Sequence, residues 1–282
     1  MVRVTLIFLL AIVAIPIAAQ DAAIDDVELE DVDVSYIYPV VMGSGVYKID
    51  GRRLTMLTVP ISITQSRLDE GDEDLGVKWY LPVTVGYDEV EDFDWLEQLI
   101  SENLVTFSVM PGVQVSIPLD DTWIVRPFAQ LGIGHDFVSD EVFGLGVIGT
   151  RLLGTWELDG DWELRWGAAG RLAGEQQFKS GRENSFGLLE TGLDLRRDTR
   201  LSVMDQQLNL GAYYRLQSYY PEWTVGKFLT NRSEVNEVHE IGASVGLVQP
   251  RTVLGFTFRR LRIGYQRGSG FRGWTFGTEF PF

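Results

Sequence analysis

The sequence of 282 residues predicts an all-β fold, a closed antiparallel transmembrane β-barrel of about twelve strands formed by residues 34–282. Three observations predict this fold. Apolar and polar residues alternate over long runs, short and long connections alternate between these runs, and the last run keeps an apolar face to the end of the chain. Together they indicate a barrel whose outer face contacts lipid and whose inner face is polar.

The alternation has the period of a β-strand, in which successive side chains point to opposite faces. Val105, Phe107 and Val109 share one face of a run that extends to residue 117, and small polar residues occupy the other face. Residues 77–87 repeat this pattern. Both runs exceed the usual strand length of about 5 to 6 residues, which favours long strands with one apolar face.

Counting such runs gives about twelve strands, an even number that closes an antiparallel barrel with both chain ends on one side. The runs lie near residues 35–47, 54–67, 75–88, 104–118, 122–137, 142–157, 162–177, 184–197, 202–220, 236–248, 252–267 and 271–282.

The connections between the runs are of two kinds. Short links rich in Asp, Gly or Pro, which are typical of tight turns, lie at 119–122, 158–161, 197–200 and 249–251. The links 88–103 and 221–235 are much longer. Short turns on one side and long loops on the other are typical of outer-membrane barrels, in which the turns are periplasmic.

The N-terminus predicts export. Residues 1–19 have the basic start, apolar run and small terminal residues of a signal peptide cleaved after Ala19; the alternative is a membrane anchor, for which the apolar run is short. The following segment, 20–33, is acidic, with seven carboxylates and no base. It is either a solvated leader or a strap that pairs with basic groups elsewhere.

The net charge of −16 argues against binding of nucleic acid, and the absence of cysteine excludes disulfides.

Charged residues of one parity are predicted to line the lumen. Because an Arg or Lys facing lipid at mid-bilayer costs about 2–4 kcal/mol, the charged face of each strand must point inward. These charges either pair across the lumen and hold the barrel in shape, or line a conduit and set its selectivity. The predicted lumen-lining residues are Glu163, Arg165, Arg171, Glu175, Glu190, Asp194, Arg196, Arg215, Arg260 and Arg262.

Three tryptophans lie close to predicted periplasmic turns. An indole ring has an apolar body and one N–H donor, which suits the boundary between lipid tails and headgroups. Trp123, Trp156 and Trp162 are therefore predicted to form part of an aromatic girdle. The alternative is ordinary aromatic packing beside hairpin turns.

The residues offer little catalytic chemistry. His135 lies beside Asp136 and four residues before Ser139, but successive strand residues face opposite sides and four residues of strand span about 13 Å. His239 shares its strand face with Glu237, which allows a simple ion pair. No catalytic residue, metal site or cofactor is predicted.

The C-terminal residues 275–282, "TFGTEFPF", resemble the assembly signal of Gram-negative outer-membrane β-barrels. The matching positions are Thr275, Gly277, Phe280 and Phe282. The resemblance implies recognition by the barrel-insertion machinery, passage with periplasmic chaperones, and contact with outer-membrane lipid and lipopolysaccharide. The rival fold is a soluble β-sandwich or lipocalin-like barrel, whose exterior would be polar.

By size and strand count, residues 34–282 also resemble the solitary autotransporter-type barrels. Autotransporters carry a large secreted passenger before the barrel, whereas about 14 residues separate the predicted cleavage site from the barrel here. The expected function is therefore a non-enzymatic outer-membrane barrel with a structural or narrow-pore role. The alternatives are a selective small-solute channel and a surface lipid hydrolase.

Overall fold

The computed structural model describes residues 37–49, 52–67, 76–89, 104–203, 206–221, 236–253, 256–269 and 271–278. All of them belong to one compact unit, Ser35–Phe282. Across these ranges the chain forms one short helix and a single sheet of thirteen strand segments. Within the same ranges, no helix has the length and apolarity needed to span a membrane.

The helix α1 is Ile37–Met42. The strands are β1 Gly45–Ile49, β2 Arg52–Arg67, β3 Gly76–Glu89, β4 Leu104–Val109, β5 Gly112–Pro118, β6 Trp123–Asp136, β7 Glu141–Leu158, β8 Trp162–Gln177, β9 Glu183–Val203, β10 Gln206–Pro221, β11 Asn236–Val253, β12 Phe256–Gly268 and β13 Phe271–Gly277.

The sheet closes on itself, because the first strand pairs with the last. β1 pairs with β13 from Gly45↔Thr275 to Ile49↔Phe271, and every other pairing is also antiparallel. β4 and β5 both pair with β3 and β6, so they are two halves of one barrel strand. The prediction of a closed antiparallel barrel of about twelve strands is therefore confirmed.

The break between β4 and β5 falls at Met110 and Pro111, because proline has no backbone N–H to donate to the ladder. The chain keeps both neighbours through single hydrogen bonds there. The N–H of Met110 donates to the carbonyl of Pro82 at 3.1 Å, and the N–H of Leu131 donates to the carbonyl of Pro111 at 3.1 Å.

The connections divide the barrel into two ends. We call the end that holds the connections 119–122 and 159–161 the turn end, and the end that holds 137–140 and 178–182 the loop end. The predicted long links 88–103 and 221–235 also belong to the loop end, but they lie almost entirely outside the described residues.

Three predicted boundaries are wrong. Residues 37–42 are helical, although the run 35–47 predicted a strand. β9 continues through the predicted turn 197–200 to Val203, and β11 continues through 249–251 to Val253. The ladder is irregular in both places, with a register shift between Gly246 and Arg251 that lets Pro250 lie in a strand without breaking a regular pair.

The outward face of the barrel is apolar. Leu131 is 72% exposed, Ile241 67% and Ile148 54%, and their inward-pointing neighbours are far less accessible. Soluble monomers rarely expose contiguous apolar patches of more than a few hundred Å². This exterior is therefore opposite to that of the rival soluble barrel, and it is the surface expected of a barrel surrounded by lipid.

The helix α1 lies inside the barrel. Ile37 has no exposed surface, and its backbone N–H donates to Oε2 of Glu175 on β8 at 2.7 Å. It belongs to an apolar cluster whose members come from strands on all sides of the lumen. The other buried members are Met110, Phe128, Phe143, Leu145, Val147, Ala173, Phe186, Leu188, Tyr219 and Val238. An apolar layer therefore crosses the lumen and encloses the start of α1.

Tyr47 holds the other end of α1. Its side chain is fully buried on the inward face of β1, and its hydroxyl lies 3.2 Å from the carbonyl oxygen of Met42 and 3.0 Å from that of Gly43. These carbonyls belong to the last residue of the helix and to the residue after it, where acceptors lack intrahelical donors. The tyrosine thus joins the helix to the first barrel strand.

We expect Tyr47→Phe to lower the free energy of unfolding by about 1 kcal/mol, because the hydrogen bond to the end of α1 is lost. Tyr47→Ala also leaves a cavity, and the expected loss is about 3–5 kcal/mol. Denaturant unfolding of the refolded protein in detergent, followed by tryptophan fluorescence, measures both losses. A Tyr47→Ala variant as stable as the wild type would contradict an anchored α1.

Candidate functional site

The charged residues of the inward faces form one connected set in the lumen. The structure places all ten predicted lumen-lining residues on the inward faces of β8, β9, β10 and β12. Several are almost inaccessible to solvent, including Glu190, Asp194 and Arg215 at 4%, 1% and 3% exposure. Buried charges are costly unless they are paired and hydrogen-bonded, so their partners decide what this lumen can do.

Glu240 on β11 is the centre of the set, and its side chain has no exposed surface. Its Oε1 atom accepts hydrogen bonds from three strands: from the Tyr213 hydroxyl at 2.6 Å, from Nη1 of Arg262 at 3.0 Å and from the Thr275 hydroxyl at 2.7 Å. Thr275, one of the predicted assembly-signal residues, therefore also has a partner inside the barrel.

The Oε2 atom of Glu240 takes the remaining donors. Nε of Arg215 donates to it at 2.9 Å, Nη2 of Arg215 also contacts it, and Nε2 of Gln266 donates at 2.8 Å. We call Glu240 and its five donors, Tyr213, Arg215, Arg262, Gln266 and Thr275, the Glu240 network. The two guanidinium groups carry two positive charges, and the Glu240 carboxylate carries one negative charge. Arg215 therefore also pairs with a second acid.

Glu190 on β9 is that second acid. Nη1 of Arg215 donates to its Oε1 at 3.2 Å, and Nε2 of Gln217 donates to the same atom at 2.9 Å. Nη2 of Arg171 on β8 lies 2.6 Å from Oε2. Arg215 thus bridges two fully buried carboxylates, and the chain of contacts reaches from β8 to β13.

Towards the turn end the lumen is more open. Nε of Arg165 donates to Glu163 at 2.7 Å, and Nε of Arg196 donates to Asp194 at 2.5 Å. The side chains of Glu163 and Arg165 are 30% and 36% exposed, compared with 0% for Glu240. Arg260 joins this group of charges by donating from Nη1 to the Ser244 hydroxyl at 2.6 Å. Water therefore reaches Glu163 and Arg165, whereas Asp194 and Glu240 are closed off from it.

Glycine makes room for the Glu240 network. A Cβ atom on Gly264 would overlap both the Glu240 carboxylate and the Tyr213 hydroxyl, and a Cβ on Gly242 would overlap the Tyr213 ring. Both glycines lie on the inward faces of their strands, beside the network. The network therefore requires small residues on β11 and β12 as well as the charged ones.

Glu240, the central residue of the network, is absent from the predicted lumen-lining residues. The alternation along β11 carried the signal, because Glu240 shares a face with Gly242, Ser244 and Gly246 rather than with the apolar residues.

Of the predicted assembly-signal residues, Gly277 lies opposite Arg262, whereas Phe280 and Phe282 lie outside the described residues.

The tryptophans near the turn end point outward. Trp123 packs edge-on against Trp156 and Trp166, with ring centroids 5.3 and 5.7 Å away. Gly154 lies opposite Trp123 on β6 and opposite Trp166 on β8, and a side chain there would overlap the indoles. Trp162 instead stacks with Arg197, whose guanidinium carbon lies 5.2 Å from the ring centroid.

The histidines lie on the outward face. Nε2 of His135 is 3.3 Å from Oδ1 of Asp140, and in the described part of the chain this is its one hydrogen bond. This contact and the nearby Lys179 ammonium lower the pKa of Asp140. Asp136 points inward and accepts from the N–H of Ser139 at 3.3 Å. Across the described ranges, no three acidic or histidine side chains are grouped as a metal site.

The hydroxyl of Tyr214 lies 2.7 Å from Nδ1 of His239, on the outward face that Glu237 also shares. This tyrosine is 42% exposed, so the pair belongs to the exterior of the barrel rather than to the lumen.

Comparisons with known proteins agree with the fold. No protein-family model matches the sequence, and no curated protein matches it. The crystal structure of the β domain of the Bordetella autotransporter BrkA is similar to this chain with a TM-score of 0.58 at 12% identity, covering 82% of this chain and 92% of that chain. The crystal structure of the siderophore receptor PirA from Pseudomonas aeruginosa aligns with a TM-score of 0.28 at 10% identity, over 82% of this chain and 37% of that chain. This score is too low to indicate a shared fold.

At 12% identity the similarity to the autotransporter β domain shows the fold alone. The predicted autotransporter-like β-barrel is confirmed at this level. The residues of the Glu240 network must therefore be understood from their own contacts.

We expect Glu240→Gln to lower the free energy of unfolding by about 3–5 kcal/mol, because Arg262 would lose its carboxylate partner and Arg215 would lose one of its two. The matched control is Glu237→Gln on the same strand, which removes an exposed outward carboxylate and should change stability by less than about 0.5 kcal/mol. Denaturant unfolding in detergent or lipid vesicles measures both. Equal effects of the two substitutions would contradict the central place of Glu240.

Proposed function

We propose that this chain is a non-enzymatic integral outer-membrane β-barrel with a structural or narrow-pore role, whose lumen is closed by its own side chains and by α1. The observation that carries the proposal is the burial of the lumen. Glu240 and Ile37 are 0% exposed, although both lie inside a closed barrel. A water-filled channel at this level would leave such side chains accessible.

Two layers close the lumen. In the first, Ile37 of α1 packs among apolar side chains from β6 to β11, and Val41 of α1 packs against the same cluster. In the second, the Glu240 network links strands β10 to β13 through charge-assisted hydrogen bonds. A barrel of about eight strands is filled by its own side chains, and sixteen or more leave a channel. Twelve strands need an additional filler, and α1 supplies it.

The outward surface supports placement in the outer membrane. The large apolar side chains face outward, and indoles gather near the turn end, where an aromatic girdle belongs. In this proposal the barrel is exported with the signal peptide 1–19 and guided by periplasmic chaperones. It is then inserted by the barrel-insertion machinery through its C-terminal signal, and it contacts outer-membrane lipid and lipopolysaccharide.

A second candidate function is a selective small-solute channel. It is favoured by the accessible charges at the turn end, where Glu163 and Arg165 are about one-third exposed. A solute can enter the turn end of the lumen beside these two residues, and its passage through the barrel then depends on movement of α1. No contact of His135 favours the third candidate, a surface lipid hydrolase, because its hydrogen bond is to Asp140 rather than to a hydroxyl nucleophile.

Conductance of the refolded protein in planar bilayers tests closure. We expect the full chain to conduct weakly. A variant that lacks residues 20–42 should conduct several-fold more, because removing α1 takes a cylinder of about 10–12 Å diameter out of the lumen.

The matched control for this experiment lacks residues 20–33 and retains α1. It should conduct as weakly as the full chain if the helix is the filler. A full chain that already conducts as strongly as the variant without α1 would refute the closed lumen and favour the channel.

A further inference from the structure

Three arginines stand side by side in the lumen on neighbouring strands. Arg126 on β6 is directly opposite Arg151 on β7 in the register of the sheet. Arg171 on β8 follows one inward position beyond Ala169, the residue opposite Arg151. Both Arg126 and Arg171 are close enough to Arg151 to repel it electrostatically. We call these three residues the arginine cluster.

This placement is electrostatically unfavourable. Like charges directly opposite each other on antiparallel strands are destabilising. The effect is stronger away from bulk water, where charges are screened less.

Glu190 attracts Arg151 electrostatically, but the groups that Arg151 itself contacts carry no negative charge. In the described ranges, no carboxylate lies within 4 Å of it. Its Nη1 donates to Oε1 of Gln114 at 3.1 Å, its guanidinium lies 4.7 Å from the centroid of the Phe128 ring, and its buried Nε has no hydrogen-bond partner. The amide and the ring fix the position of the guanidinium, but neither supplies a negative charge.

Among the residues that the structure describes, Arg171 has one acidic partner, which it shares. Its Nη2 lies 2.6 Å from Glu190, which also accepts from Arg215, and its buried Nε has no hydrogen-bond partner. One carboxylate therefore faces two arginines before Arg151 is counted. Two buried N–H donors on adjacent guanidinium groups remain for a further acceptor.

We infer that the arginine cluster is a binding site for a small oxyanion, a phosphate or carboxylate group. Guanidinium groups match the geometry of such anions, because each can donate two parallel N–H bonds to two oxygens. A bound oxyanion would accept from the Nε donors of Arg151 and Arg171 and would reduce the electrostatic repulsion between these two guanidinium groups. The inference rests on the proposed barrel and lumen, and it defines the class of solute that the lumen would hold.

Inorganic phosphate is the probe. The full chain is refolded in zwitterionic detergent, and its thermal unfolding is followed while phosphate replaces chloride at constant ionic strength. A ligand that binds only the folded state raises the unfolding midpoint. We expect phosphate to raise the midpoint of the wild type, and the apparent phosphate affinity of Arg151→Gln to be about tenfold or more lower, because charge-assisted hydrogen bonds are lost.

Arg272→Gln is the matched control, because Arg272 is an exposed arginine on the outward face of β13. This variant should respond to phosphate as the wild type does. Without phosphate, Arg151→Gln should be at least as stable as the wild type, because one of two opposed charges is gone. If Arg151→Gln fails to fold, Arg126→Gln provides the same test from the opposite strand.

The oxyanion has two possible sources, a free solute or the carboxylates of the chain's own segment 20–33. Binding to the full chain identifies a free solute. Binding that emerges only after residues 20–33 are deleted, and that Arg151→Gln then abolishes, identifies the segment as the occupant. Absence of phosphate binding in both backgrounds, or binding that Arg151→Gln leaves unchanged, overturns the inference. Because binding is measured in detergent, it is independent of conductance.

Discussion

The outer face of this barrel is largely apolar, so most of the charges between its two ends are neutralised inside it. The Glu240 carboxylate has the fullest set of hydrogen-bond donors among these inward charges. Its carboxylate receives donors from four side chains on β10 and β12 and from Thr275 on β13. Replacing a buried ion pair by apolar residues often costs nothing, so the network's value lies in fixing which strands lie together.

The place where this matters most is the seam between the first and last strands. β1 and β13 share five residue pairs, whereas β7 and β8 share sixteen. Across this short seam, the Tyr47 ring on β1 packs against the Phe271 ring on β13, with centroids 5.8 Å apart. Tyr47 also contacts the end of α1, and Thr275 on β13 donates to Glu240. The helix, the seam and the charged network are therefore one structural unit, and closure of the barrel and closure of the lumen depend on the same residues.

Much of the barrel could be predicted from the sequence, because the alternation of apolar and polar side chains is a local property of each strand. The inward positions of Glu190 and Arg215 follow from parity and from the cost of charge in lipid. Parity fails on β7, where inward Phe143, Leu145 and Val147 are apolar and belong to the layer around α1. Here both faces are apolar, and only the closed structure shows which one packs inside.

The other differences have non-local causes. Residues 37–42 alternate well enough to predict a strand, but Ile37 is held in a helix by Glu175, which lies 138 residues away in the sequence. The central position of Glu240 depends on donors from three other strands. The spacing of residues along the chain does not show how those strands are aligned with β11. The arginine pair is likewise a result of register, since Arg126 and Arg151 are opposite only in the folded sheet.

In this structure the lumenal charges hold the barrel together as pairs. A double-mutant cycle between Glu240→Gln and Arg215→Gln, with unfolding free energies measured in lipid vesicles, is the sharpest test of this pairing. If the two groups stabilise the barrel through each other, the double variant will be more stable than the sum of the single losses predicts, by about 2–3 kcal/mol. Losses that add to within about 0.5 kcal/mol would contradict the claim.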